Sequence, residues 1–164
     1  MVSSKTSGVD GRCHLRSIHK PNADVAIAII SLALGAIFIY AGTDKLRDFL
    51  VFADSIAAFA IVPEKLINLM ALGLPPFEVI AGLMIALPVG RRIGSLSIAL
   101  CSVMFMLALS SALMRGLTLD CGCFGTGTPS RARMWLEMCL DVFICSGALY
   151  VYLDVNPHRY REQA

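Results

Sequence analysis

Asp120-Cys121-Gly122-Cys123-Phe124-Gly125 places two cysteines one glycine apart, in a short polar stretch between two long apolar segments. Such a dithiol can swap electrons with another thiol pair, hold a soft metal, or close a local disulfide. The intervening glycine lets the backbone bend enough to bring the sulfurs together. The ring that results is small and strained. Strain makes a disulfide easier to reduce, which suits exchange better than a permanent staple. Thr118, Gly125, Gly127 and Pro129 are expected to keep the pair exposed. Arg115, Arg131 and Arg133 would lower the thiol pKa, and Asp120 would raise it. A metal site needs further ligands, so none is expected here.

The acids inside the apolar segments form the second group. Glu78 and Asp141 are costly in lipid unless paired or protonated. Glu137, Asp141 and Cys145 recur every four residues and so share one helix face. Arg133 precedes Glu137 by one turn and can pair with it. This seam either carries protons that accompany thiol oxidation or quinone reduction, or hydrogen-bonds between helices to fix the bundle. Lys45 is expected to snorkel to the headgroups, with Glu78 or a bound anion as the other partners within reach. Cys139 and Cys145 are six residues apart and face different ways. Cys101 and Cys145 lie at similar depth and could meet, but buried cysteine behaves by default as a small hydrophobe. Cys13, His14 and His19 read as solvated tail residues.

These residues must be positioned within a membrane. Of the 164 residues, 57% are hydrophobic and 16% charged, against roughly 25% charged in an ordinary soluble domain. Mean hydropathy is +0.71. The net charge of +2 is spread out, and no basic run interleaved with aromatics points to nucleic acid. A membrane helix needs about 20 mostly apolar residues. Four stretches qualify, at about Val25–Leu46, Leu66–Leu87, Ile93–Met114 and Met134–Leu153. The expected fold is all-α, an integral membrane four-helix bundle over residues 24–155, because helices satisfy their backbone bonds internally in lipid. Residues 1–23 and 156–164 are expected to be tails, the first of them disordered. The first apolar segment lacks a convincing cleavage site after Tyr40 and is expected to be retained.

Lysine and arginine in the short connections set the expected orientation. Eight lie with the two tails and the tight Arg91-Arg92 turn, and six lie on the other side. The expectation is both termini in the cytoplasm and the CGC segment outside. In a bacterium that means an inner-membrane protein with its dithiol in the periplasm, where disulfides persist.

Between the first two spans, Phe49, Phe52, Ile56 and Phe59 recur at steps of three and four, with Asp48 and Asp54 elsewhere on the wheel. An amphipathic helix on the outer membrane surface is expected, ending at Pro63 and covering the mouth of the bundle, with docking of a partner as the other role open to it. Pro75-Pro76 should kink the second span. Gly82 permits close helix contact, whereas the GxxxG spacing of Gly90 and Gly94 is a weak signal at a helix start.

In this order, the residues resemble the MauE/DoxX-like family of small four-helix bacterial membrane proteins, and its MauE branch more than plain DoxX. The resemblance runs through Ala41-Gly42 with Lys45-Leu46, the Phe52-Ala53 to Pro63 segment, Leu74-Pro75 with Glu78 and Gly82, and Arg115-Gly116 leading into the CGC hexapeptide. It implies a membrane partner in thiol–disulfide processing. MauE-type proteins are associated with a thioredoxin-like periplasmic protein and with maturation of the disulfide-rich small subunit of methylamine dehydrogenase. DoxX-like relatives include a subunit of a thiosulfate:quinone oxidoreductase, which makes a quinone the one cofactor to consider.

The expected function is therefore thiol–disulfide exchange. Cys121 and Cys123 would react with a thioredoxin-like partner to support maturation of a disulfide-containing client oxidoreductase. Asp120, Gly122, Arg115, Lys45, Glu78 and Asp141 would support them. The alternative is a non-catalytic membrane anchor or assembly subunit, with CGC as a structural clip. A transporter is a weaker reading, because four helices without clear inverted repeats give little room for alternating access.

Overall fold

A computed structural model describes residues 21–118 and 130–154. These residues form five helices and no strand: α1 (Pro21–Arg47), α2 (Phe49–Phe59), α3 (Glu64–Ala86), α4 (Arg91–Met114) and α5 (Arg131–Asp154). α1, α3, α4 and α5 are the four expected spans, each within a few residues of its expected bounds. Their most apolar windows have mean hydropathies of 2.4, 1.8, 2.2 and 1.6. At 1.5 Å per residue each is about 35 Å long, enough to cross a hydrocarbon core of about 30 Å. α1 opens at Pro21, inside the stretch read as tail, where proline is tolerated in a first helical turn.

The molecule is apolar outside and partly polar inside. Phe143 is 77% exposed and Leu153 72%, while Ser31, Ser95, Ser102, Lys45, Glu78 and Glu137 are buried. Water would reject that exterior, but lipid accepts it, and polar groups then belong in the bundle interior.

Glycine sets how closely the helices approach. A Cβ on Gly35 would lie 2.7 Å from the Gly82 carbonyl oxygen, and one on Gly82 would lie 2.8 Å from that of Gly35. Two turns along, a Cβ on Gly42 would lie 2.8 Å from the carbonyl oxygen of Pro75. The paired positions ascend in α1 and descend in α3, so the two helices run antiparallel in backbone contact. α3 continues as one helix through Pro75-Pro76. Gly94 sits against the backbone of Met84 and Ile85, which closes the α3–α4 hairpin. The weak Gly90–Gly94 signal thus marks a tight hairpin. α4 and α5 share a core in which Ile98 and Cys101 join Ile144 and Ala148 at one end, and Leu109 and Ala112 join Met134 at the other.

The spans therefore alternate in direction, as in an up-down-up-down bundle. The start of α1 and the end of α5 lie at one end, and the α4–α5 connection lies at the opposite end. α2 lies at that second end. Its Phe52, Ala53 and Ile56 are buried in a cluster with Ala71 of α3. Asp48 and Asp54 are exposed, as the wheel pattern required. The Gly42–Pro75 contact shows that about two turns of α3 extend beyond the end of α1. α2 packs against that extension and roofs the interior.

Candidate functional site

The helices that flank the CGC connection end in well-defined caps. At the end of α4, Gly116 has φ +73°. Its N–H donates to the Leu113 carbonyl, and the Leu117 N–H donates to that of Ala112. This pair of bonds is a Schellman motif, which needs a left-handed residue and so favours glycine. At the start of α5, the Ser130 hydroxyl accepts the Arg133 N–H at 3.2 Å, a standard N-cap. Arg115 donates from its guanidinium to the Phe59 carbonyl, and from Nε to the Ser111 carbonyl at 3.3 Å. It therefore ties the end of α4 to the end of α2. There Ala60 adopts the left-handed conformation with φ 50°. Asp120, Cys121, Gly122 and Cys123 lie outside the described residues, as do the two tails with Cys13, His14 and His19.

Beneath α2 lies a buried charge cluster. Lys45 Nζ donates to Glu78 Oε1 at 2.6 Å and to Oε2 at 2.8 Å, with both side chains 1% exposed. The expectation that Lys45 snorkels to the headgroups is thus corrected. Snorkelling needs a free path to the interface, and α2 closes that path. The ammonium sits 4.8 Å from the Phe105 ring centroid and 5.4 Å from that of Phe52, within cation–π range. A buried ion pair of this geometry is tolerable because both partners keep their hydrogen bonds while the rings cover the cation.

Asp141 of α5 completes the cluster. It is 9% exposed and lines a cavity of about 20 Å³ with Lys45 and Glu78, together with apolar side chains from α1 and Phe105 of α4. One turn nearer the α4–α5 connection, Glu137 is 4% exposed, with Oε1 3.4 Å from Arg133 Nε. The polar face of α5 does point inward, as its four-residue spacing predicted. Cys145 is half-buried and bonds weakly to the Ala99 carbonyl at 3.9 Å. Cys101, Cys139 and Cys145 are all free thiols, so no disulfide joins Cys101 to Cys145.

Sequence reasoning missed Phe105, which shows no signal beyond being one aromatic in an apolar span. Phe52 appeared only as part of the amphipathic stripe. Cys101, 5% exposed, lies within electrostatic reach of both Lys45 and Glu78.

The family described as methylamine utilisation protein MauE matches residues 23–153, which takes in α2, α3 and α4, nearly all of α1 and α5, and the CGC connection. The chain belongs to the MauE family. Neither a curated protein nor a solved structure matches it. Membership ties the chain to methylamine utilisation as a multi-pass membrane protein of the MauE type. Within this MauE-family chain, Lys45, Glu78 and Asp141 converge from three different spans, a meeting that spacing along one helix does not encode.

Proposed function

We propose that this MauE-family protein is a membrane partner in thiol–disulfide exchange, acting through Cys121 and Cys123. The observation that carries the reading is the Cys-Gly-Cys segment inside the family match, in the connection between α4 and α5. The caps at Gly116 and Ser130 support it, since they fix where that connection leaves and re-enters the bundle.

In the exchange, the thiolate of one cysteine attacks the disulfide of a thioredoxin-like protein. One partner sulfur leaves as a thiolate and takes a proton. The second cysteine then attacks the mixed disulfide, closes the Cys121–Cys123 bond and releases the partner as a dithiol. Two electrons and two protons pass to the partner, and the reverse sequence returns them. The client is a disulfide-containing oxidoreductase of the methylamine dehydrogenase type. The excess of Lys and Arg on the tail side supports a bacterial inner-membrane location, cytoplasmic termini and a periplasmic dithiol.

Cells carrying Cys121→Ser or Cys123→Ser, quenched with an alkylating agent, should accumulate a mixed disulfide with a thioredoxin-like protein. The double variant should trap nothing and should leave client maturation impaired. Full client maturation with the double variant would overturn the reading in favour of a structural or anchoring role.

A further inference from the structure

The cavity beneath α2 presents a bonding imbalance. Each Glu78 carboxylate oxygen accepts one hydrogen bond from Lys45, which leaves one lone pair on each for a further donor. Asp141 faces the same cavity, is about nine-tenths buried, and has no hydrogen-bond partner among the described residues. A buried polar group without a partner costs about 1–3 kcal/mol, so such positions call for an unseen partner. A water needs about 10–15 Å³ of free space and two to four polar partners. The cavity offers about 20 Å³, and Lys45, Glu78 and Asp141 supply the polar groups.

We propose that Lys45, Glu78 and Asp141 form an internal proton-exchange site around one bound water, with the proton as its ligand. The water accepts from the ammonium of Lys45 and donates to the carboxyl oxygens. It thereby connects Asp141 to a pair that it does not touch directly. A proton passed from one side chain to the water is matched by one passed from the water to the facing carboxylate. The charge of the cluster therefore changes only when a proton enters or leaves from outside.

Every neighbouring element contributes to that balance. α1 supplies Lys45, α3 supplies Glu78, and α4 supplies the Cys101 thiol, which interacts with both. α5 supplies Asp141, which interacts with Lys45, Glu137 and Glu78. α2 contributes the Phe52 ring, its own acids Asp48 and Asp54 being exposed. Glu137 is the step towards the exterior. Its Oε2 is buried without a hydrogen-bond partner among the described residues, and it stands one turn from Asp141 on the same helix face, on the side of the α4–α5 connection. The route runs from Glu137 to Asp141, then through the water to Glu78. None of this requires that Cys121 and Cys123 exchange disulfides, so either reading can fail alone.

Difference infrared spectroscopy of the full chain in lipid nanodiscs, titrated with pH, provides the test. A buried-carboxyl stretch should titrate and shift in deuterium oxide, and it should disappear in Asp141→Asn. Wild-type protein carrying carbon-13 in its aspartate side-chain carboxyls should show the same band displaced, which assigns it without any substitution. Glu78→Gln should move the band's titration midpoint by about one pH unit or more, the scale of a close charge; a merely structural Asp141 would give no titrating band to move. The proposal is overturned if wild-type protein shows no titrating buried-carboxyl band. It is equally overturned if aspartate labelling leaves the band in place, or if a folded Asp141→Asn protein retains it.

Discussion

Lys45 is held by two short hydrogen bonds and two aromatic rings, far from the water an ammonium prefers. Removing one member of a buried pair strands the other. Lys45→Met should therefore lower stability by about 3–5 kcal/mol, measured by denaturant unfolding in detergent. Adding Glu78→Leu to Lys45→Met should restore a substantial part of that loss, because no charge is then left unpaired. A double variant as unstable as the single one would show that the cost lies in packing. The sequence displays both residues and allows their pairing as one of several options for Lys45. What it did not display was α2 folding back across the end of α1, and that roof decides between headgroup and carboxylate. Asp141 was legible as an inward residue from its spacing. Its exposure to a cavity depends on three other spans, and no single helix pattern encodes that.

Helix contact in lipid lacks a hydrophobic driving force, so close backbone approach carries more of the energy. The α1–α3 interface relies on Gly35, Gly42 and Gly82. Gly82→Ala would place a Cβ 2.8 Å from the Gly35 carbonyl oxygen and 2.9 Å from the Ile39 side chain. It should cost about 1–3 kcal/mol by forcing the helices apart. A Cβ on Gly73 of the same helix would meet nothing within 4 Å. Gly73→Ala should be neutral or stabilising by up to about 1 kcal/mol, through helix propensity alone. Thermal unfolding of the two variants side by side checks both expectations. The sequence marked Gly82 as a contact residue. It did not separate Gly35 and Gly42 from Gly73, because glycine reads the same on an exposed and on an interfacial face.

Across the whole molecule, the four spans follow from hydropathy runs and their bounds from charges and prolines, so the architecture was legible almost throughout. Their alternating directions put the start of α1, which follows Cys13 in the chain, and the ends of α4 and α5 that flank the CGC pair at opposite ends of the bundle. A membrane-impermeant maleimide added to sealed, reduced membrane vesicles of defined orientation should label Cys121 and Cys123 from one face only. Cys13 should react only from the other face. Labelling of both from the same face would contradict the odd number of spans (α1, α3 and α4) that separates the N-terminal tail from the CGC connection. The arrangement of the CGC segment itself was not legible beyond its composition, since no periodicity runs through Asp120–Gly125 and its anchors are helix caps, a backbone one at Gly116 and the Ser130 hydroxyl.

α2 buries only Phe52, Ala53 and Ile56. If it swung away, those side chains would meet lipid, which is as apolar as the surface they leave. Undocking would therefore forfeit packing, the Arg115 tether and the Phe52 ring over Lys45, but almost no apolar solvation energy. A water-soluble protein could not hinge a hydrophobic helix so cheaply. The bilayer that excludes water from the Lys45–Glu78 pair thus also makes its cover the least expensive part of the bundle to lift. How often water reaches that interior becomes a property of the surrounding lipid as much as of the chain.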